Sequence, residues 1–138
     1  MFKEDECILV VVDVQGKLAR LMSGHERLIR RISQIIRGFK TLELPILYLE
    51  QMPEKLGPTV SEISSLLMPQ AAITKTSFSC MGSEEFRRQL SSSGRKQVVL
   101  VGIEAHICVY QSARDLLKSG FEVAILDDAA SSRCAENK

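Results

Sequence analysis

VVLVGIEAHICVYQSARDLLKSG, residues 98–120, decides the fold. It opens on four apolar residues, turns at Gly102, and passes a polar corner holding Glu104 and His106. Ile107, Tyr110, Ala113, Leu116 and Leu117 then recur at helical spacing, and Gly120 ends the pattern. That order describes a buried strand turning sharply into a helix. Cys108 falls in the expected first helical turn, where unpartnered backbone N–H groups and the helix dipole favour negative charge. A thiolate placed there can have its pKa lowered from about 8.5 to roughly 3.5–7.5. Cys108 is thus a candidate nucleophile.

The same grammar repeats on either side. CILVVV, residues 7–12, is a β-branched run typical of a strand covered on both faces, and Asp13 follows it. Over residues 25–42 an apolar stripe of Leu28, Ile29, Ile32, Ile35, Ile36, Phe39 and Leu42 predicts a helix with its arginines outside the stripe. Pro45 precedes a second strand at residues 46–49, and the loop QMPEKLGP follows. Thr59 and Glu62 have capping-box spacing ahead of a short helix with Ile63, Leu66 and Leu67. A weaker strand at residues 71–74 delivers Lys75, and a helix led by Gly82 and Ser83 ends near residues 91–94. A fifth strand is expected at residues 122–126. Strands alternating with helices imply one α/β domain over residues 1–138, with a parallel sheet and right-handed crossovers.

Ligands of such sheets bind beyond the C-terminal strand ends. Asp13, Lys75 and Cys108 all stand at such ends, which makes a carboxylate, a cation and a thiol one candidate site. Taken singly, each has a plainer reading: a turn former, a solvated lysine and a packed cysteine. A Cys–His pair is a poorer assignment, because His106 lies two residues from Cys108 and such positions do not face each other on a helix. Asp13 as general base with Lys75 as its electrostatic partner fits better. Gln15, Gln51, Phe78 and His106 are further candidates for the substrate pocket.

Bulk composition narrows the partners. The chain has 138 residues, 45% hydrophobic, with 18 basic and 17 acidic side chains for a net charge of +1. That balance gives no reason to expect nucleic acid or an anionic membrane. The four cysteines form no CxxC pair and the two histidines have no zinc-finger spacing. No metal or other cofactor is expected. The acidic start MFKEDE resembles no targeting peptide, so reduced thiols and a cytoplasmic location are the expectation.

ILVVVDVQ, KTSFS, VVLVGIEAHICVYQSARDLL and DDAASSR together resemble the isochorismatase-like cysteine hydrolases, over residues 8–133. The LEQMPEKLGPT segment is most similar to the subgroup of broadly named isochorismatase-domain proteins. The resemblance implies a three-layer α/β/α, Rossmann-like fold and an Asp–Lys–Cys triad falling on Asp13, Lys75 and Cys108. It also implies a non-proline cis peptide at Ile103–Glu104, and an oxyanion hole from the backbone N–H groups of Glu104 and Cys108. The activity implied is hydrolysis of a small-molecule amide-like C–N bond through a thioester, in a homo-oligomer.

Two departures matter. YLEQMPEKLG lacks the histidines with which the nicotinamidase branch binds metal, and Cys108 is absent from true isochorismatases, so neither activity is expected. The resemblance further implies a helix and strand after DDAASSR, which a sequence ending at Lys138 is expected to lack. A non-catalytic protein of this fold, for binding or oligomerisation, and a thiol redox protein are the alternatives.

Overall fold

A computed structural model describes residues 1–134. Five strands form one parallel sheet: β1 (Cys7–Val12), β2 (Ile46–Gln51), β3 (Ile73–Lys75), β4 (Gln97–Ile103) and β5 (Glu122–Ser131), in the order β3-β2-β1-β4-β5. The helices are α1 (Gly16–Arg20), α2 (His25–Thr41), α3 (Pro53–Leu56), α4 (Ser61–Leu67), α5 (Glu84–Ser93) and α6 (Tyr110–Lys118). Every crossover is helical, as a parallel ladder requires.

Alternation along the buried strands splits the core in two. Leu9 and Val11 of β1 pack with Leu28, Ile32 and Ile36 of α2 and Ile63 of α4. Ile8, Val10 and Val12 face the other way, onto Phe86 and Leu90 of α5 and Ala113 and Leu116 of α6. This is the expected three-layer α/β/α sandwich. Continuous apolar runs such as CILVVV are what a strand covered on both faces needs.

Several local expectations shift. Thr59 does not cap α4: that helix starts on Val60 without a side-chain cap. The Thr59 hydroxyl and N–H instead donate to Glu50 Oε2 at 2.8 and 2.7 Å, because a half-buried carboxylate nearby draws both donors. Ser83 does cap α5, accepting from the Phe86 N–H at 3.1 Å. The QMPEKLGP loop contains α3, and β5 runs five residues beyond the predicted end, past an irregularity in its ladder with β4 between Leu100 and Gly102.

Two glycines let backbones approach where the site is built. Gly102 has φ +126°, and a Cβ there would sit 2.1 Å from the Val12 carbonyl oxygen across the β1–β4 ladder. Gly16 has φ +46°, and a Cβ would meet the Leu56 carbonyl oxygen at 2.5 Å, so only glycine lets α3 close over the end of β1.

Candidate active site

β1, β3 and β4 each deliver one group to the same rim. β1 ends at Asp13, whose φ of +54° turns the chain sharply, in a region aspartate tolerates better than most residues. Lys75 closes β3, two strands from β1 in a sheet whose strands stand about 4.8 Å apart. Its extended side chain crosses over the end of β2 to reach the carboxylate. The three donors of the Lys75 ammonium are all used: Asp13 Oδ2 at 2.7 Å, the Ser77 carbonyl at 2.8 Å and the Phe78 carbonyl at 2.9 Å. Both partners of the ion pair are buried. Asp13 Oδ1 is buried too and has no hydrogen-bond partner among the described residues. One carboxylate oxygen is pinned and the other is free.

Cys108 reaches this pair from the far side of β1. The Ile103–Glu104 peptide is cis, and Ala105–Val109 forms a π turn rather than the first turn of an ordinary α-helix. Such turns recur at functional sites because they displace side chains from the helical register. The Cys108 thiol donates to Gln51 Oε1 at 3.5 Å, and the Glu104 N–H is directed at its sulfur.

Proximity to a helix start does not lower this thiol. Burial pushes Cys108 up to about 12, the Asp13 charge adds to the rise, and Lys75 works against it. Removal from water outweighs the fields of a cation and a helix end, so the lowering that a helix start can give is not what this thiol shows. Burial also raises the Asp13 carboxyl above its usual range, with Lys75 opposing. The resting state is therefore a neutral thiol beside a carboxylate of raised basicity. Alkylation of Cys108 by iodoacetamide should keep accelerating above pH 9, while exposed Cys134 labels first. Peptide mass mapping against pH checks this, and a Cys108 plateau below pH 8.5 would refute it.

A cavity of about 320 Å³ opens beside the sulfur, lined by Asp13, Gln51, Phe78, Ile103, Glu104 and Cys108, with Leu18, Met52, Lys55, Leu56, Ile107 and Arg133. Gln51 and Phe78, both candidates from the sequence, line this cavity. Gln15 does not line it: fully buried, it donates to the Gln51 and Gly57 carbonyls at 3.0 and 2.8 Å and accepts from the Gln51 N–H at 2.7 Å. Its amide holds the end of β2 in place, so Gln51 can face the thiol. His106 also points elsewhere, with Nδ1 2.8 Å from the Ser132 hydroxyl. Arg133 went unassigned in the sequence. Its Nε donates to the buried Glu104 carboxylate at 2.7 Å. The one available signal was Glu104 itself, since a buried charge needs a partner. Among the described residues no group of three or more His, Cys, Asp or Glu side chains is placed to hold a metal, and no helix is long and apolar enough to cross a membrane.

The isochorismatase domain profile matches residues 7–138. The chain belongs to the isochorismatase family. It is 38% identical over 128 residues to isochorismatase domain-containing protein 2 of Danio rerio, covering 91% of this chain and 63% of that protein. Against the Xenopus laevis protein of the same name, identity is 33% over 130 residues, covering 94% and 62%. The chain thus spans less than two thirds of the length of these relatives. The MAR1 ribonuclease structure from Caenorhabditis elegans superposes with a TM-score of 0.90 at 34% identity, over 99% of this chain and 70% of that one. The YcaC protein of Escherichia coli, described as an octameric hydrolase of unknown specificity, gives 0.92 at 19% identity over 99% and 69%, a likeness of fold alone. Isochorismatase-like hydrolases therefore supply the fold class.

Proposed function

We propose that this isochorismatase-family chain is a cysteine hydrolase that cleaves a small amide-like C–N bond through a thioester on Cys108. The observation carrying the reading is the split role of Asp13, a residue that lines the cavity beside the thiol: Oδ2 is held by Lys75, and Oδ1 is buried without a hydrogen-bond partner among the described residues. Asp13 takes the thiol proton as sulfur bonds to the substrate carbonyl carbon. The oxyanion forms against the Glu104 and Cys108 N–H groups, an arrangement whose donors are worth about 2.7–4 kcal/mol each in one measured protease. Carbon–nitrogen cleavage follows, and the Asp13 proton leaves with the amine. Water then adds to the thioester while Asp13 accepts its proton. Collapse releases the acid, and the thiolate recovers that proton from Asp13.

Two features favour a small molecule over the RNA that the C. elegans neighbour's name suggests. The cavity holds only about 320 Å³, and the net charge of +1 offers no large excess of basic residues for phosphate contacts. The same reading places the chain in the cytoplasm as a homo-oligomer, with no cofactor. Incubation with a panel of small amides, read by intact mass, tests it: a substrate should leave an acyl mass on Cys108 and release an amine. Amine release with no Cys108 adduct, even under rapid acid quench, would remove the covalent mechanism.

A further inference from the structure

We propose that Ser112 is a positioning residue of the thiol site, tying the segment that seats Lys75 to the helix that follows Cys108. This rests on the hydrolase reading and extends it to a residue outside the cavity lining.

Lys75 is seated largely by main chain. Its ammonium donates to the Ser77 and Phe78 carbonyls as well as to Asp13, so the segment after β3 decides where the charge stands. That segment is braced internally. Ser77 Oγ donates to the Ser79 carbonyl at 2.8 Å, Ser79 Oγ accepts from the Met81 N–H at 3.1 Å, and Cys80–Gly82 form a 3₁₀ turn. A Cβ on Gly82 would lie 2.2 Å from Ser77 Oγ, so the cradle has no room for one more methyl group. Its outward ties then fix Lys75. Toward α5, Ser83 caps the helix and Arg87 donates to the Met81 carbonyl at 2.6 Å. Toward α6, one hydrogen bond is made among the described residues: the Cys80 N–H donates to Ser112 Oγ at 2.9 Å. Both residues are fully buried. Ser112 stands four residues after Cys108, about one helical turn. A buried serine in a helix commonly turns to its own backbone, whereas this one serves a segment 32 residues away in sequence.

The plainer role is core packing, a small side chain that satisfies one buried N–H. The two roles part on charge. Without the acceptor the turn can shift off α6 and carry the ammonium with it. Lys75 then offsets less of the rise that burial imposes on the Cys108 thiol and the Asp13 carboxyl. Asp13 faces Lys75 from β3, Glu50 from β2 and Cys108 from the π turn, and Lys55, Glu104 and Arg133 line the same cavity. Substitution of Ser112 replaces none of them.

Alkylation of Cys108 by iodoacetamide at pH 9, followed by peptide mass mapping, reads the charge without any turnover. Ser112→Ala should slow it by roughly three- to tenfold, because a thiol pushed further up offers less thiolate. Ser112→Thr keeps the hydroxyl and should recover most of the rate. Ala113→Gly loosens the same helix at the adjacent buried position, so it should lower the melting temperature and leave the rate near wild type. If Ser112→Ala does not fold, Ser112→Val set against Ser112→Thr makes the same comparison with shape held constant. On an amide substrate, Ser112→Ala should lower kcat by roughly ten- to a hundredfold with KM little changed, and move the acid limb of the pH profile upward. Alkylation of Ser112→Ala at or above the wild-type rate, or slowed equally by Ala113→Gly, overturns the proposal. Slowed alkylation in a chain that cleaves no amide upholds the positioning role and removes only the hydrolase reading.

Discussion

On the proposed pathway Cys108→Ala should remove amide turnover, by a factor on the order of 10⁴ or more in kcat, as deletions of a covalent nucleophile do. The fold should survive. Cys108 contributes one weak 3.5 Å hydrogen bond and sits at the cavity wall, so losing its sulfur costs about 1 kcal/mol of packing. Cys108→Ser is the sharper variant. It keeps the size and the path to Asp13 but offers a far less acidic hydroxyl, so kcat should fall nearly as far while thermal unfolding stays close to wild type. Progress curves with a substrate from the amide panel, set beside a melting curve for each variant, measure both quantities. Activity that persists in Cys108→Ala sinks the nucleophile assignment. A similar loss in Cys80→Ala through unfolding would be a separate matter, because Cys80 is fully buried in the α5–α6 core.

Lys75→Met has the largest expected effect on stability. It strips the cation from a buried carboxylate and leaves two carbonyls without their donor, a loss of about 3–5 kcal/mol for a broken buried pair. Its pH dependence has a definite sign. Burial already raises the Asp13 carboxyl in the folded state, and without Lys75 opposing, it rises further. A carboxyl with a raised folded pKa binds more protons folded than unfolded between the two values, so its contribution to stability falls as pH rises through that window. Lys75→Met should therefore be most destabilised near pH 8 and recover part of the loss toward pH 5, as Asp13 takes up its proton and the bare buried charge is removed. Urea unfolding at both pH values measures it. Wild-type stability at pH 8 would mean that the ion pair does not hold the rim together. The same variant should lose activity most at low pH, because a protonated Asp13 cannot accept the thiol proton.

Much of this architecture was legible because burial writes periodicity into sequence. CILVVV and VVLV mark strands covered on both faces, the α2 stripe marks a helix on one face, and Asp13, Lys75 and Cys108 are the chemically loaded residues at strand ends. What escaped depends on facts that no spacing carries. Thr59 and Glu62 have capping-box spacing, but Glu50 arrives from another strand and takes the Thr59 donors. Gln15 follows Asp13 closely enough to suggest a pocket residue, yet three backbone groups claim its amide. Arg133 and Glu104 are 29 residues apart and meet only after β5 folds against β4. The direction of the Cys108 shift was missed for the same kind of reason: helix position can be read locally, whereas desolvation is a property of the finished interior.

Asp13's two unlike oxygens carry a consequence for the order of events. With Oδ2 held by Lys75, all proton traffic on the proposed pathway passes through Oδ1, a single lane shared by the thiol, the leaving amine and the incoming water. Water cannot be activated until the amine has taken its proton and gone. Amine release must then precede acid release, the kinetics must be of the ping-pong kind, and an added amine must compete with water for the same acylated intermediate.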